Sequence, residues 1–125
     1  MRLSKNPGAI GRLGENLAKK HLRQQGITII AENYHTRYGE IDLIAQEGET
    51  LLFIEVRVRN NPRYGSALES ITPQKQARIL KSVAHYLQHH NIGVEQNMRI
   101  DVIGIEATPD GADFTLEWVK NAFSA

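Results

Sequence analysis

A chain of 125 residues, 41% hydrophobic and 23% charged, has room for one packed core and reads as a single domain over residues 1–125. Lys and Arg number 15 against 14 Asp and Glu, a formal charge of +1, so the bulk charge does not point to nucleic acid and any such case rests on distribution. With no cysteine, disulfides, thiolate zinc sites and a thiol nucleophile are excluded.

Met1–Asn6 reads as a flexible basic leader. The N-terminal stretch lacks the apolar core of a signal peptide, and no apolar run is long enough to span a membrane, so the expectation is a cytoplasmic protein without a membrane partner. Pro7 suits the first turn of a helix running to about Gln25, with Gly26 as its stop. Ile10, Leu13, Leu17 and Leu22 are spaced as its apolar stripe, and Gly11, Gly14 and Ala18 form a row of small residues that lets the helix approach a sheet closely. Glu15 lies beside that row. By spacing alone it is a solvated glutamate.

Ile27–Ile30 is a short apolar strand, and Asn33-Tyr34 starts a hairpin. Tyr34–Tyr38 is polar and aromatic, either a contact for a sugar-phosphate backbone or a solvated strand end. Gly39–Arg59 then reads as two strands joined by a type II′ turn at Gly48-Glu49. That turn sets Asp42 opposite Glu55 and Glu40 opposite Arg57. One face carries Glu40, Asp42, Ile44, Phe53, Glu55 and Arg57; the other carries Ile41, Leu43, Ala45, Leu52, Ile54, Val56 and Val58. Opposed carboxylates repel, so a hairpin selected for stability alone avoids this arrangement. A hard divalent cation requires it, because Mg²⁺ and Mn²⁺ prefer oxygen ligands. Arg57, on the same face, can neutralise a carboxylate or meet a phosphate.

Asn60–Gly65 is a loop by composition. Thr72-Pro73 is an N-cap followed by proline at the first helical position, and the helix runs to about His90 with Ile79, Leu80, Val83, Ala84 and Leu87 as its buried stripe. Between Arg57 and Lys81 there are six Lys or Arg against Glu69 alone, whereas Asp101–Ala125 holds five acids against Lys120. A basic strip beside an acidic pocket suits a phosphodiester gripped by its backbone while a metal fills the pocket. His85 and His89, four apart, lack a third ligand and read as surface residues or minor phosphate contacts. Met98–Glu106 is a central strand on which Asp101 is expected to partner Arg99, Arg57 or a backbone amide. Pro109-Asp110-Gly111 is a turn, and Phe114–Val119 is a last strand with Trp118 in the core.

Asp42 followed by Glu55-Val56-Arg57 after a hairpin resembles the D…(D/E)-x-K signature of the PD-(D/E)XK nuclease superfamily. More closely, Gly39–Ile44 with Phe53–Arg57 resembles the YraN-type family of small bacterial proteins, grouped with the Holliday-junction-resolvase-like branch. Gly11–Glu15, Asn33-Tyr34, Tyr64-Gly65, Lys75 and Arg99–Asp101 extend the likeness over nearly the whole chain. One position departs: most nucleases of the superfamily have Lys where this chain has Arg57, and arginine holds its proton too tightly to act as a general base.

The element order gives an α-β-β-β-α-β-β sandwich with a mixed central sheet flanked by helices, and this agrees with the restriction-endonuclease-like fold of the resemblance. The resemblance implies a Mg²⁺- or Mn²⁺-dependent nuclease that hydrolyses phosphodiesters of DNA, branched or structured DNA included. Asp42 and Glu55 would hold the metal with Glu15 assisting. Arg57 and Lys75 would serve the phosphate, and Arg57, Arg59, Arg63, Tyr64, Lys75 and Arg78 would contact nucleic acid. Glu40 is expected to hold Arg57 in place. Resolvase-like enzymes are commonly dimers, and an apolar edge of so small a sheet could serve a second copy. Two other classes stay open: a nucleic-acid-binding module of the same fold without catalysis, and a protein-interaction domain whose acidic cluster is neutralised by Arg57 and Arg99.

Overall fold

The computed structural model describes residues 7–59, 67–108 and 113–124, with side chains from Gly11 onward. The leader Met1–Asn6, the Asn60–Gly65 loop with Arg63 and Tyr64, and the Pro109–Gly111 turn lie outside the described residues. Seven elements follow in the expected order: α1 (Pro7–Gln24), β1 (Thr28–Thr36), β2 (Gly39–Glu47), β3 (Thr50–Arg59), α2 (Pro73–His89), β4 (Met98–Ala107) and β5 (Phe114–Val119).

The strands form one sheet in sequential order, β1-β2-β3-β4-β5. All pairings are antiparallel except β3 with β4, where α2 carries the chain back over one face. The sheet is therefore mixed, with α1 on one face and α2 on the other. This is the α/β sandwich that the sequence implies, and it agrees with a restriction-endonuclease-like architecture.

Local chemistry accounts for the boundaries. Thr72 caps α2, its Oγ1 accepting from the Lys75 N–H at 3.2 Å, and Pro73 follows where a missing N–H costs nothing. Both helices end in the same closing motif. Ile27 N–H donates to Leu22 O and Gly26 N–H to Arg23 O, both at 3.0 Å, with Gly26 at φ 80; Ile92 and Asn91 repeat the pattern on Leu87 and Gln88, with Asn91 at φ 55.

The core divides into two layers. Leu43, Ala45, Leu52, Ile54, Ile103 and Ile105 pack with Ala18 and Leu22 of α1. Ile44, Phe53, Ile100 and Val102 pack with Ile79, Val83 and Tyr86 of α2. Gly14 lies so close to the sheet that a Cβ there would run into Val58, as the row of small residues implies.

Three expectations need correction. β1 is longer than Ile27–Ile30 and contains Asn33-Tyr34; a bulge between Ile29 and Ala31 lets it continue against β2. Ile41 joins the α2 layer instead of the layer of Leu43. The alternation breaks beside Asn33, which sits at φ 50 between the Glu32–Leu43 and Tyr34–Ile41 pairs. On α2, Ser82 and Tyr86 are buried while Ala84 is exposed, so the stripe is rotated toward the sheet by the aromatic packing of Tyr86 on Phe53 at 5.6 Å.

Candidate functional site

Gly48 takes φ 58, as a type II′ turn requires, and the register across β2 and β3 follows from it. Leu43 pairs with Ile54, Ile44 with Phe53 and Glu47 with Thr50. The ladder ends at Leu43–Ile54. One residue further on, Asp42 reaches across the gap with its side chain, and its Oδ2 accepts the Val56 N–H at 2.8 Å. Asp42 and Glu55 are thus adjacent through a shared side-chain hydrogen bond and not as a ladder pair.

Both carboxyls titrate far above their ordinary range. Burial is the main cause for each; the Val56 amide partly offsets it at Asp42, and the charge of Asp42 adds to it at Glu55. Asp42 is pushed up to about 6 and Glu55 to about 8, values that belong to the pair. Burial likewise raises Glu15, opposed by its bond to Asn33.

Glu15, Glu40 and Asp42 each bring a carboxylate oxygen to within 4.8 Å of the others. Glu15 comes from the third turn of α1; Glu40 and Asp42 are alternate residues of β2. Asn33 of β1 ties them together. With its amide oriented by its partners, the nitrogen donates to Glu40 Oε1 at 2.6 Å and to both Glu15 oxygens at 3.2 and 3.3 Å. Four carboxyls from three elements therefore converge, and all their donor atoms are hard oxygens. Such a set fits Mg²⁺ or Mn²⁺ and fits softer, nitrogen- or sulfur-seeking metals poorly.

Glu40 does not face Arg57 as a ladder partner. It was expected to hold Arg57, but the ladder stops before those two positions meet. Arg57 NH1 lies 3.8 Å from Glu55 Oε1 instead, and its Nε donates to Ser70 Oγ at 3.2 Å. The available signal was the shared face of Glu40 and Asp42, spaced two residues apart on one strand.

Beside the carboxylates opens a cleft of 160 Å³ lined by Tyr38, Glu40, Glu55, Arg57, Lys75 and Arg78, among others. Lys75 and Arg78 come from the first turns of α2 and face the acids across it. Arg59 is placed elsewhere. Its guanidinium stands 3.9 Å from Glu106 with the side chain 9% exposed, and it does not line this cleft.

Arg99 also serves elsewhere. Its Nε donates to both oxygens of the fully buried Asp101 at 3.0 and 3.1 Å and its NH1 meets Glu47 at 3.1 Å. Asp101 further accepts from Trp118 Nε1 at 2.8 Å and the Asn121 N–H at 2.9 Å. It is a structural knot that fastens β5 and the segment after it to β4. Tyr34, read as either a contact for a sugar-phosphate backbone or part of a solvated strand end, packs edge-on to Tyr86 at 5.2 Å and bonds His85 Nδ1 at 2.9 Å. His85 and His89 are exposed and stacked on each other at 5.9 Å.

The family model described as uncharacterised protein family UPF0102 matches residues 14–105. The chain belongs to UPF0102. That span contains Glu15, Glu40, Asp42, Glu55, Arg57, Lys75 and Arg78, so membership covers the whole site. A UPF0102 protein of Legionella pneumophila (strain Corby) is 44% identical over 115 residues, covering 92% of this chain and 94% of that one. A UPF0102 protein of Nitrosococcus oceani is 44% identical over 113 residues, 90% of each chain, and one of Desulfitobacterium hafniense is 41% identical over 119 residues, 94% of this chain and 98% of its own. Coverage on both sides means the likeness is to whole UPF0102 proteins and not to a shared fragment. The UPF0102 names carry no activity, so the chemistry must be argued from the site. No helix among the described residues is long and apolar enough to cross a membrane.

Proposed function

We propose that this UPF0102 protein is a Mg²⁺- or Mn²⁺-dependent nuclease that hydrolyses phosphodiester bonds of DNA. The observation that carries this reading is the convergence of Glu15, Glu40 and Asp42 within 4.8 Å, with Glu55 bonded to Asp42, while Glu40 and Glu55 line one small cleft together with Arg57, Lys75 and Arg78. A cluster of carboxylates without a cation is costly, and here burial raises three of the four. Bound there, a divalent cation supplies a water of lowered pKa and neutralises charge on the phosphate.

The chain's own residues do the rest. Asp42, fixed by the Val56 amide, and Glu40, fixed by Asn33, hold the cation. Glu15 completes the carboxylate group from the helix side. Arg57 orients a phosphate oxygen and does not take the water's proton, since a guanidinium stays protonated. Lys75, at the start of α2, adds positive charge where charge develops on the phosphate. Ser70 keeps Arg57 directed into the cleft.

A second reading, a nucleic-acid-binding module of the same fold without catalysis, is favoured by Arg57 in place of the usual lysine. Cleavage of plasmid or branched DNA with Mn²⁺, abolished by EDTA and by Asp42→Asn, supports the enzyme. Salt-dependent DNA binding without cleavage under any divalent metal supports the module.

A further inference from the structure

The acidic cleft has a neighbour. On the other side of Tyr38 lies a second open cleft of 490 Å³, lined by Arg37, Tyr38, Lys81, Ala84, His85 and Gln88. Tyr38 is common to both linings and forms the wall between them. The two clefts run along one side of α2, a helix with no acidic residue, whose cations Lys75, Arg78 and Lys81 recur every three residues. Lys75 to His85 spans ten residues, about 15 Å along the axis. The second cleft carries Arg37 and Lys81 but no carboxylate, so it is built for an anionic chain and not for another cation.

Tyr38 is held firmly in place. Its N–H donates to Thr36 Oγ1 at 3.0 Å, and the same oxygen bonds Ser82 Oγ, buried on α2, at 2.9 Å. The backbone of Tyr38 is thereby tied to the helix that carries the cations. Arg37 stands over it at 4.9 Å and Lys81 at 5.6 Å, while Arg37 also donates to its hydroxyl at 2.7 Å. Cation–π contacts at exposed positions are weak, so a base can take a cation's place on the ring while the cation turns to a phosphate. An aromatic ring amid cations is the arrangement by which proteins hold single strands, each base offering a π face.

We infer that Tyr38 with Arg37 and Lys81 forms a single-strand subsite, which holds the nucleotides flanking the phosphate in the carboxylate cleft by stacking one base on Tyr38. The inference rests on the nuclease reading and names its substrate class: DNA with an unpaired stretch at the cleavage point. Duplex DNA presents its bases stacked inward and offers nothing to this ring.

The test is fluorescence anisotropy with a labelled oligothymidylate and a duplex of equal length, in Ca²⁺ to limit turnover, on wild type, Tyr38→Ala, Tyr38→Phe and Lys81→Ala. Wild type is expected to prefer the single strand. Tyr38→Ala weakens that binding by about 5- to 100-fold, Tyr38→Phe retains it, and Lys81→Ala lowers both the affinity and the dependence on salt. Duplex affinity changes little in the Tyr38 variants. Equal oligothymidylate affinity for wild type and Tyr38→Ala, or a preference for the duplex, overturns the subsite while leaving the nuclease reading in place. If wild type binds neither probe, the nuclease reading itself falls, and this inference with it. Circular dichroism of each variant excludes misfolding as the source of a loss.

Discussion

The Val56 amide donates to Asp42 Oδ2 at 2.8 Å, where the β2–β3 ladder has just ended. A side chain thus accepts the bond that a backbone carbonyl would otherwise take, and the two strands part around a carboxylate. This relationship fixes the orientation of Asp42 beside the cleft that Glu40 and Glu55 line.

Asp42→Asn follows from that geometry. An asparagine oxygen still accepts from Val56, so the fold should be kept. Cleavage should disappear, with kcat reduced by at least two orders of magnitude, the scale on which losing a group used in the transition state is felt. DNA binding should be retained or strengthened, because one source of repulsion for phosphate is gone. Plasmid-nicking assays beside anisotropy on the same preparation check both halves. Unchanged cleavage would identify a contaminating nuclease.

Glu40→Gln is expected to weaken Mn²⁺ as strongly as Asp42→Asn does, since both place an oxygen within the same 4.8 Å group. If Glu40 merely held Arg57, Mn²⁺ affinity would survive the change. Calorimetric titration of wild type, Glu15→Gln, Glu40→Gln, Asp42→Asn and Glu55→Gln ranks the four carboxylates directly. Metal must displace the proton shared by Asp42 and Glu55, so binding should tighten from pH 6 to pH 8 and release protons.

The pH dependence of stability has a definite sign. Asp42 and Glu55 rise from ordinary values of 3.8 and 4.5 to about 6 and about 8 in the fold. The native state then binds more protons than the unfolded chain, and stability falls as pH rises between about pH 4 and pH 8. Without metal, the pair's contribution is fully present below pH 4 and lost progressively above it, a swing on the order of a few kcal/mol. Thermal melts in EDTA at pH 5 and pH 8 should show the fall. Asp42→Asn should flatten it, and Mn²⁺ should restore stability at pH 8.

Asp101→Ala should be among the most damaging substitutions. It removes a fully buried carboxylate that accepts four hydrogen bonds from three donors, on Arg99, Trp118 and Asn121, and leaves the Arg99 guanidinium partly uncompensated. Breaking a buried pair from one side costs about 3–5 kcal/mol. Denaturant unfolding followed through Trp118 fluorescence measures the loss. Its indole should report early loosening of β5.

Much of the site's frame was legible in the residues. The turn at Gly48, the Leu43–Ile54 register, the Thr72-Pro73 cap and the close approach at Gly14 all depend on neighbours in sequence or on the absence of a side chain. The place of Glu15 beside Asp42 came from family resemblance, since spacing alone reads that residue as solvated. The pairing of Glu40 with Arg57 needs a ladder that continues past Leu43, and the register ends there. The packing of Tyr34 depends on Tyr86, far along the chain, so residue type alone leaves it either a sugar-phosphate contact or part of a solvated strand end.

What the sequence determined by itself is therefore the set of elements and the hairpin register. Those follow from local sterics and a two-residue turn, which leave few alternatives. Only the tertiary structure decided that α1 delivers Glu15 to Glu40, that Asn33 binds the two together, and that Tyr38 stands between an acidic and a basic cleft. These depend on how helices settle on a sheet, and on burial that raises the carboxyls of Asp42 and Glu55. Burial is a property of the packed whole, which no single stretch of chain contains.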